Sequence, residues 1–201
     1  MRGVLRWITG LGDAALLVPL SLLLLAFFFV YRRSKSGAAD WAIALAICVI
    51  ATVVGKVGFR ACEPVVSFLG VHSPSGHVSF SATYYLSVAA AASLEKPAWH
   101  RYLILAASSL VVLAIAASRV MLHAHTLAEV VLGGAIGVAS AGWFIYRFRR
   151  HQQVMPDWRV VTGTLLAFAL LTHGWHLDVD AILAKIARLI GSRVPGCAAI
   201  V

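Results

Sequence analysis

Long runs of apolar residues, separated by short polar stretches, restrict what this chain can fold into more than any other feature of its sequence. An α-helix of about 20 apolar residues crosses the hydrocarbon core of a bilayer. Six runs approach that length, and they lie at about residues 14–30, 40–54, 78–94, 102–117, 127–146 and 160–175. The pattern predicts an all-α, polytopic membrane protein that folds as a bundle of six transmembrane helices.

Composition and charge favour a single membrane-embedded domain over residues 1–201. The chain is 61% hydrophobic and 12% charged, whereas a soluble domain has about 25% charged residues. The formal net charge of +9 comes from basic residues that flank the apolar runs, not from one basic stripe, which argues against nucleic-acid binding. Two further segments, at 2–12 and about 178–193, have the pattern of short interfacial helices, the second of them amphipathic.

The distribution of lysine and arginine predicts the orientation, because cytoplasmic loops are enriched in these residues. Nine of them lie in the first, third and fifth loops between predicted spans. Five lie on the opposite side once Lys56, Arg60 and Arg119, which we assign to a site, are set aside. We therefore expect the site on the outer face of the membrane.

Two loops that this topology brings to the same face hold most of the polar chemistry. The candidate site residues are Lys56, Arg60, Ser75, Gly76 and His77 in the second loop, and Arg119, His125 and Glu129 in or just after the fourth. Lysine and arginine side chains bind phosphate or carboxylate oxygens. Backbone N–H groups at the start of a helix bind anions as well, and Ser75 and Gly76 directly precede a predicted helix.

The two histidines add reactive groups to this set of anion-binding residues. A helix that starts near Thr126 places Glu129 on the same face as His125. A carboxylate there can hold one imidazole nitrogen and leave the other for substrate. One histidine to attack, a second to protonate the leaving oxygen, and cations to spread the charge are what phosphoryl transfer without a metal requires. His77 is the second histidine.

At these residues the sequence resembles the type 2 phosphatidic acid phosphatase superfamily, which includes bacterial lipid phosphatases and vanadium haloperoxidases. The second motif of that family, Pro-Ser-Gly-His, is present at 74–77. The third motif is Ser-Arg, five residues, His, three residues and Asp. It is present from Ser118, with Glu129 in place of the aspartate.

The first motif of the family, Lys, six residues and Arg-Pro, is present only in part. Lys56 and Pro64 are in register, but Glu63 stands where the arginine belongs. Arg60 offers a replacement cation, and we expect Glu63 to point away from the site or to pair with Arg60. The three motifs follow one another over residues 56–129, on one predicted membrane face.

The resemblance implies an integral-membrane lipid phosphatase that uses neither a cofactor nor a metal. His125 then attacks phosphorus and forms a phosphohistidine, Glu129 orients it, and His77 protonates the departing lipid oxygen. The implied phosphate-binding residues are Lys56, Arg60, Ser75, Gly76 and Arg119. The implied partner is a lipid phosphate, a monoester or a diphosphate, in a bacterial inner membrane whose periplasmic face carries the site.

Two other functions remain open for the same residues. The site could transfer the phosphoryl group to a second lipid instead of water, and an acceptor-dependent product distinguishes the two reactions. Alternatively, a metal-binding or transport protein could use a set of ligands that comprises His72, His77, His123, His125 and Glu129. The nearby cations argue against this third function, because they would surround a metal ion with like charge.

The three cysteines have no spacing typical of a metal or redox site. Cys48 lies inside a predicted span and is expected to be a small buried apolar residue. Cys62 and Cys197 fall on the same side of the predicted topology, and a disulfide between them is a hypothesis.

Overall fold

The computed structural model describes residues 2–30, 35–61 and 72–151, together with parts of 163–189. Its long elements are all helices, which confirms the all-α class. They are α1 (Arg2–Gly10), α2 (Ala14–Val30), α3 (Lys35–Ala61), α4 (Gly76–Ser93), α5 (Ala98–Met121) and α6 (Leu127–Arg150). Short connections join most consecutive helices from α2 onward, which favours antiparallel neighbours with alternate helix ends at each end of the bundle.

Four segments in the described part of the chain are long and apolar enough to cross a membrane, where the sequence predicted six. They are Arg2–Val30, which contains α1 and α2, and then Ser36–Ala61, Ala98–Met121 and Leu127–Arg150. These helices identify an integral membrane protein. The third predicted span is present as α4, which is less apolar than these four. The sixth, at 160–175, lies largely outside the described residues, as does the predicted amphipathic helix at 178–193.

Two helices extend beyond the apolar runs that predicted them. Lys56 and Arg60 belong to the last turns of α3, and Arg119 belongs to the last turn of α5, whereas the sequence placed all three in loops. Lysine and arginine are good helix formers whose aliphatic stems continue an apolar surface. Each apolar run therefore ends several residues before the helix that contains it.

Helix α4 occupies the centre of the bundle, where it packs against α2, α3, α5 and α6. Several of its polar side chains are bonded inside the protein: the Thr83 hydroxyl donates to the Ser79 carbonyl at 2.9 Å, and the Ser79 hydroxyl lies 2.9 Å from that of Thr52. A helix surrounded by other helices needs no lipid-compatible surface. Because several of its polar groups find partners in the protein, α4 can be less apolar than its neighbours.

Two glycines of α6 allow that helix to lie directly against α4. A Cβ atom on Gly133 would collide with the carbonyl oxygen of Ser75, and one on Gly137 with that of Ser79. Small residues spaced four apart are typical of close contacts between membrane helices. This contact fixes the start of α4, and with it the Pro-Ser-Gly-His sequence, relative to the start of α6.

The opposite end of the bundle is held by an aromatic cluster and an ion pair. Trp41 of α3 packs edge-on against Phe144 of α6, with ring centroids 5.4 Å apart. Arg147 Nε donates to Asp40 Oδ1 at 3.2 Å, and His151 Nδ1 lies 3.1 Å from the other oxygen of that carboxylate. These contacts join α3 to α6 far from the candidate site. Cys48 is fully buried, as expected, while Cys62, Glu63 and Cys197 lie outside the described residues.

Candidate active site

One end of the bundle brings together every described residue that the sequence assigned to the site. It is formed by the ends of α3 and α5, the starts of α4 and α6, and the turn between α1 and α2. A cavity of about 680 Å³ opens there. The charged and polar part of its wall contains Arg6, Asp13, Lys56, Gly76, His77 and Arg119.

His125 lies in the connection between α5 and α6, and Glu129 fixes its ring. Nδ1 of His125 is 2.8 Å from Oε2 of Glu129. The same oxygen accepts a hydrogen bond from the backbone N–H of Thr126 at 3.0 Å, and the Thr126 hydroxyl accepts one from the N–H of Glu129 at 3.3 Å. This reciprocal arrangement is a capping box at the start of α6, which satisfies helix-terminal donors.

The other carboxylate oxygen of Glu129 reaches the segment that precedes α4. Oε1 accepts hydrogen bonds from the backbone N–H groups of His72 at 2.8 Å and Ser73 at 3.0 Å. One side chain therefore holds the imidazole, caps α6 and ties the two loops together. The third position of a capping box favours glutamate or glutamine, which gives a physical reason for glutamate here in place of the family's aspartate.

The free nitrogen of His125 has the properties of a nucleophile. An ionised carboxylate only accepts hydrogen bonds, so Nδ1 carries the proton and Nε2 keeps its lone pair. Nε2 is buried and has no hydrogen-bond partner. Burial lowers the pKa of His125 below 6.5, and the charges of Arg119 and Lys56 add to that effect, while the hydrogen bond to Glu129 opposes it. A neutral imidazole at neutral pH is the result.

Lys56 extends from α3 to the first residue of α4. The residue is only 3% exposed, and its ammonium nitrogen would lie 3.8 Å from a Cβ atom built on Gly76. The first N–H groups of a helix have no partner within the helix. A lysine charge beside such groups makes the start of α4 a suitable place for an anion.

Ser75 differs from what the sequence suggested. Its backbone N–H donates to the carbonyl oxygen of Glu129 at 3.0 Å, so that group cannot bind an anion, and the expectation that it would is wrong. The N–H of Ser75 is used in the contact between the start of α4 and the start of α6. The Ser75 hydroxyl is buried without a hydrogen-bond partner, and it is the group of Ser75 left for a ligand.

Arg119 and Arg60 occupy different positions relative to the cavity. Arg119 lines it, and Nη1 of Arg119 donates to the hydroxyl of Thr9 at 3.4 Å. Arg60 is absent from the part of the cavity wall that the described residues form. Ser75 and His125 are absent from it too, and Nε2 of His125 is buried.

The turn between α1 and α2 contributes residues that the sequence did not suggest. Asp13 is buried, and its Oδ2 lies 3.8 Å from Nε2 of His77. Its Oδ1 accepts the N–H of Ala15 at 2.9 Å. Gly-Asp before an apolar run is a recognisable helix start. Nothing local, however, indicates that this aspartate meets a histidine at the start of α4.

The histidines and carboxylates at this end of the bundle form separate pairs. His125 lies against Glu129, and His77 lies near Asp13. Across the residues that the structure describes, no three histidine, cysteine, aspartate or glutamate side chains converge as metal ligands would. The geometry thus presents two imidazole–carboxylate pairs around a cationic cavity.

Comparison with known proteins agrees with the motifs. The family model described as the PAP2 superfamily matches residues 57–153. A Klebsiella pneumoniae protein described as an uncharacterized 22.5 kDa protein in cps region is 25% identical over 194 residues, which cover 92% of this chain and 90% of that protein. No solved structure matches. The match places residues 57–153 of this chain in the PAP2 superfamily, and this membership suggests a phosphatase.

Proposed function

We propose that this protein hydrolyses a phosphate monoester or diphosphate of a membrane lipid through a phosphohistidine on His125. The observation that carries the proposal is the fixed orientation of the His125 imidazole. Its Nδ1 is held by Glu129 at 2.8 Å, and its Nε2 lies unbonded near the positive charges of Lys56 and Arg119. A nucleophile oriented by a carboxylate and set beside anion-binding groups is the recurring arrangement of covalent catalysis.

The reaction proceeds in two displacements. Nε2 of His125 attacks phosphorus, the bond to the lipid oxygen breaks, and His77 gives that oxygen a proton. Glu129 stabilises the positive ring of the phosphohistidine. His77, now neutral, takes a proton from water, and the resulting attack on phosphorus releases inorganic phosphate and restores His125. Lys56, Arg119, the N–H of Gly76 and the Ser75 hydroxyl hold the phosphate oxygens throughout.

The shape of the cavity supports a lipid substrate. Beyond its cationic end, the wall continues along apolar side chains of α2, α3 and α4, which are Val18, Val49, Val53 and Phe80. Val18 and Val49 are 39% and 41% exposed on helices that can cross a membrane. An apolar cleft between two such helices accommodates an acyl or prenyl chain while the phosphate sits at the polar end.

The proposed location is a bacterial inner membrane, with the site on its periplasmic face. Arg147, Arg149 and Arg150 cluster in the last turn of α6, at the end opposite to the cavity. Basic residues at membrane boundaries favour the cytoplasmic side, which supports an outward-facing site.

The test is phosphate release by protein purified in detergent, with EDTA present, from phospholipid, polyprenyl and lipid A phosphates. We expect release from at least one class, complete loss of release in His125→Ala, and an acid-labile phosphoprotein on rapid quench. Adding a second lipid tests the transferase alternative through an acceptor-dependent product. Release that needs a metal, or equal release by His125→Ala, would refute the proposal.

The role of His77 has its own test, which depends on the leaving group. A 4-nitrophenolate ion departs without a proton, whereas a lipid alkoxide does not. We expect His77→Asn to slow alkyl phosphate hydrolysis by roughly a hundredfold or more and aryl phosphate hydrolysis much less. Equal losses on both substrates would show that His77 does not act as the acid.

A further inference from the structure

We propose that Arg6 of α1 is the third cation of the phosphate site and replaces the arginine that the first motif lacks at Glu63. The inference rests on the proposed function, since it assigns a residue to that same site. Arg6 lines the cavity together with Lys56, His77 and Arg119. Neither the motifs nor the family match, which begins at residue 57, points to this residue.

Helix α1 packs against α5, and the turn that follows α1 is docked against the bundle. The Tyr85 hydroxyl donates to the carbonyl oxygen of Leu11 at 2.8 Å. A Cβ atom on Gly12 would lie only 2.7 Å from the Ser81 hydroxyl and 2.9 Å from Ile115, so this turn touches α4 and α5 without a gap. These contacts make α1 a fixed wall of the cavity.

Arg6 also lies on the face of α1 that already meets the site. Residues three apart on a helix share a face, and Thr9, three residues after Arg6, accepts a hydrogen bond from Arg119 at 3.4 Å. The contact joins α1 directly to an arginine that we place on the phosphate. The guanidinium of Arg6, one turn before Thr9 on the same face, is therefore placed to reach the phosphate oxygens that Arg119 binds.

Charge balance gives a reason for a third cation. The fixed charges on the described wall, apart from Arg6, are those of Lys56, Arg119 and Asp13. Two positive charges and one negative charge leave a net charge of +1 once His77 has given up its proton, while a phosphate monoester carries close to two negative charges at neutral pH. Arg6 raises the net charge to +2. Arg60, the replacement suggested by the sequence, does not line the described wall.

The test is the equilibrium affinity for orthovanadate, a phosphate analogue, measured by calorimetry on detergent-purified protein without turnover. Arg6→Ala should weaken binding by about tenfold or more, as expected for the loss of a charge-assisted hydrogen bond. Arg6→Lys should recover part of the loss. Arg2→Ala is the matched control, because it removes the same charge from the same helix at a position outside the cavity. The vanadate affinity of Arg2→Ala, and that of Arg60→Ala, should stay within about twofold of wild type.

The other outcomes separate a failure of the Arg6 proposal from a failure of the proposed function. If Arg6→Ala binds vanadate as Arg2→Ala does, Arg6 is only a wall residue. If Arg60→Ala weakens binding and Arg6→Ala does not, the third cation comes from α3. If wild type binds vanadate but releases phosphate from no lipid, the proposed function fails while Arg6 is still decided by its own variants. If wild type binds no vanadate, both proposals fail.

Discussion

At the scale of single residues, Glu129 has more roles than the sequence motif assigns to it. Its carboxylate accepts four hydrogen bonds, from His125, Thr126, His72 and Ser73. Each bond places a different part of the site. The extra methylene relative to aspartate lets one carboxylate reach all four donors from the first turn of α6.

We therefore expect Glu129→Asp, which restores the residue of the family motif, to impair the enzyme. The shorter side chain cannot keep all four bonds, and a shift of about 1 Å in a catalytic group costs up to about a hundredfold in rate. The measurement is kcat on the best lipid phosphate. Glu95→Asp, at an exposed position in the turn after α4, is the matched control. Full activity of Glu129→Asp would show that the longer side chain is not needed to hold the site in its active geometry.

The pH dependence should report His125. Burial and nearby cations lower its pKa below 6.5, so the attacking form persists into mildly acidic conditions and kcat/KM should fall only below that pH. Replacing Arg119 with glutamine removes a positive charge that disfavours the imidazolium. The pKa should then rise, and the acidic limb of the profile should move to higher pH.

The pH profile of kcat/KM is measured for wild type and for Arg119→Gln on the same substrate, so that ionisation of the substrate affects both profiles equally. Arg119→Lys, which keeps the charge, should leave the acidic limb where it is in wild type. An acidic limb that stays in place in Arg119→Gln, or one that moves to lower pH, would contradict the electrostatic account.

At the scale of elements, the contact between α4 and α6 determines where the site forms. We expect Gly133→Ala to destabilise the protein by roughly 1–3 kcal/mol and to lower activity, because the new methyl group displaces Ser75 and the start of α4. Thermal unfolding in detergent and phosphate release measure the two effects. The same change at Gly142, which has no neighbouring atom within 4 Å of its Cβ position, should do neither. Equal behaviour of the two variants would show that the contact is not tight.

At the scale of the whole molecule, the orientation can be tested by labelling single cysteines. Ala124 is exposed at the end of the bundle that carries the site, and Glu95 is exposed at the opposite end. In a background without native cysteines, a membrane-impermeant maleimide should label Ala124→Cys in intact cells and label Glu95→Cys only after permeabilisation. The reverse pattern would place the site in the cytoplasm.

Much of this protein follows from the sequence alone. The apolar runs determined that the chain forms membrane helices, because a bilayer demands a long apolar surface on each segment that crosses it. The spacing of Arg119, His125 and Glu129 was enough to place a cation, an imidazole and a carboxylate at one helix boundary. These features are local, and local sequence carries them.

The tertiary structure decided what depends on neighbours distant in the chain. It made α4 a central helix, since burial by other helices replaces the need for an apolar surface. It used the N–H of Ser75 for a contact with Glu129, and it placed Arg6 and Asp13 at the cavity. Helix packing, not sequence spacing, brings such groups together, so no local pattern could have indicated them.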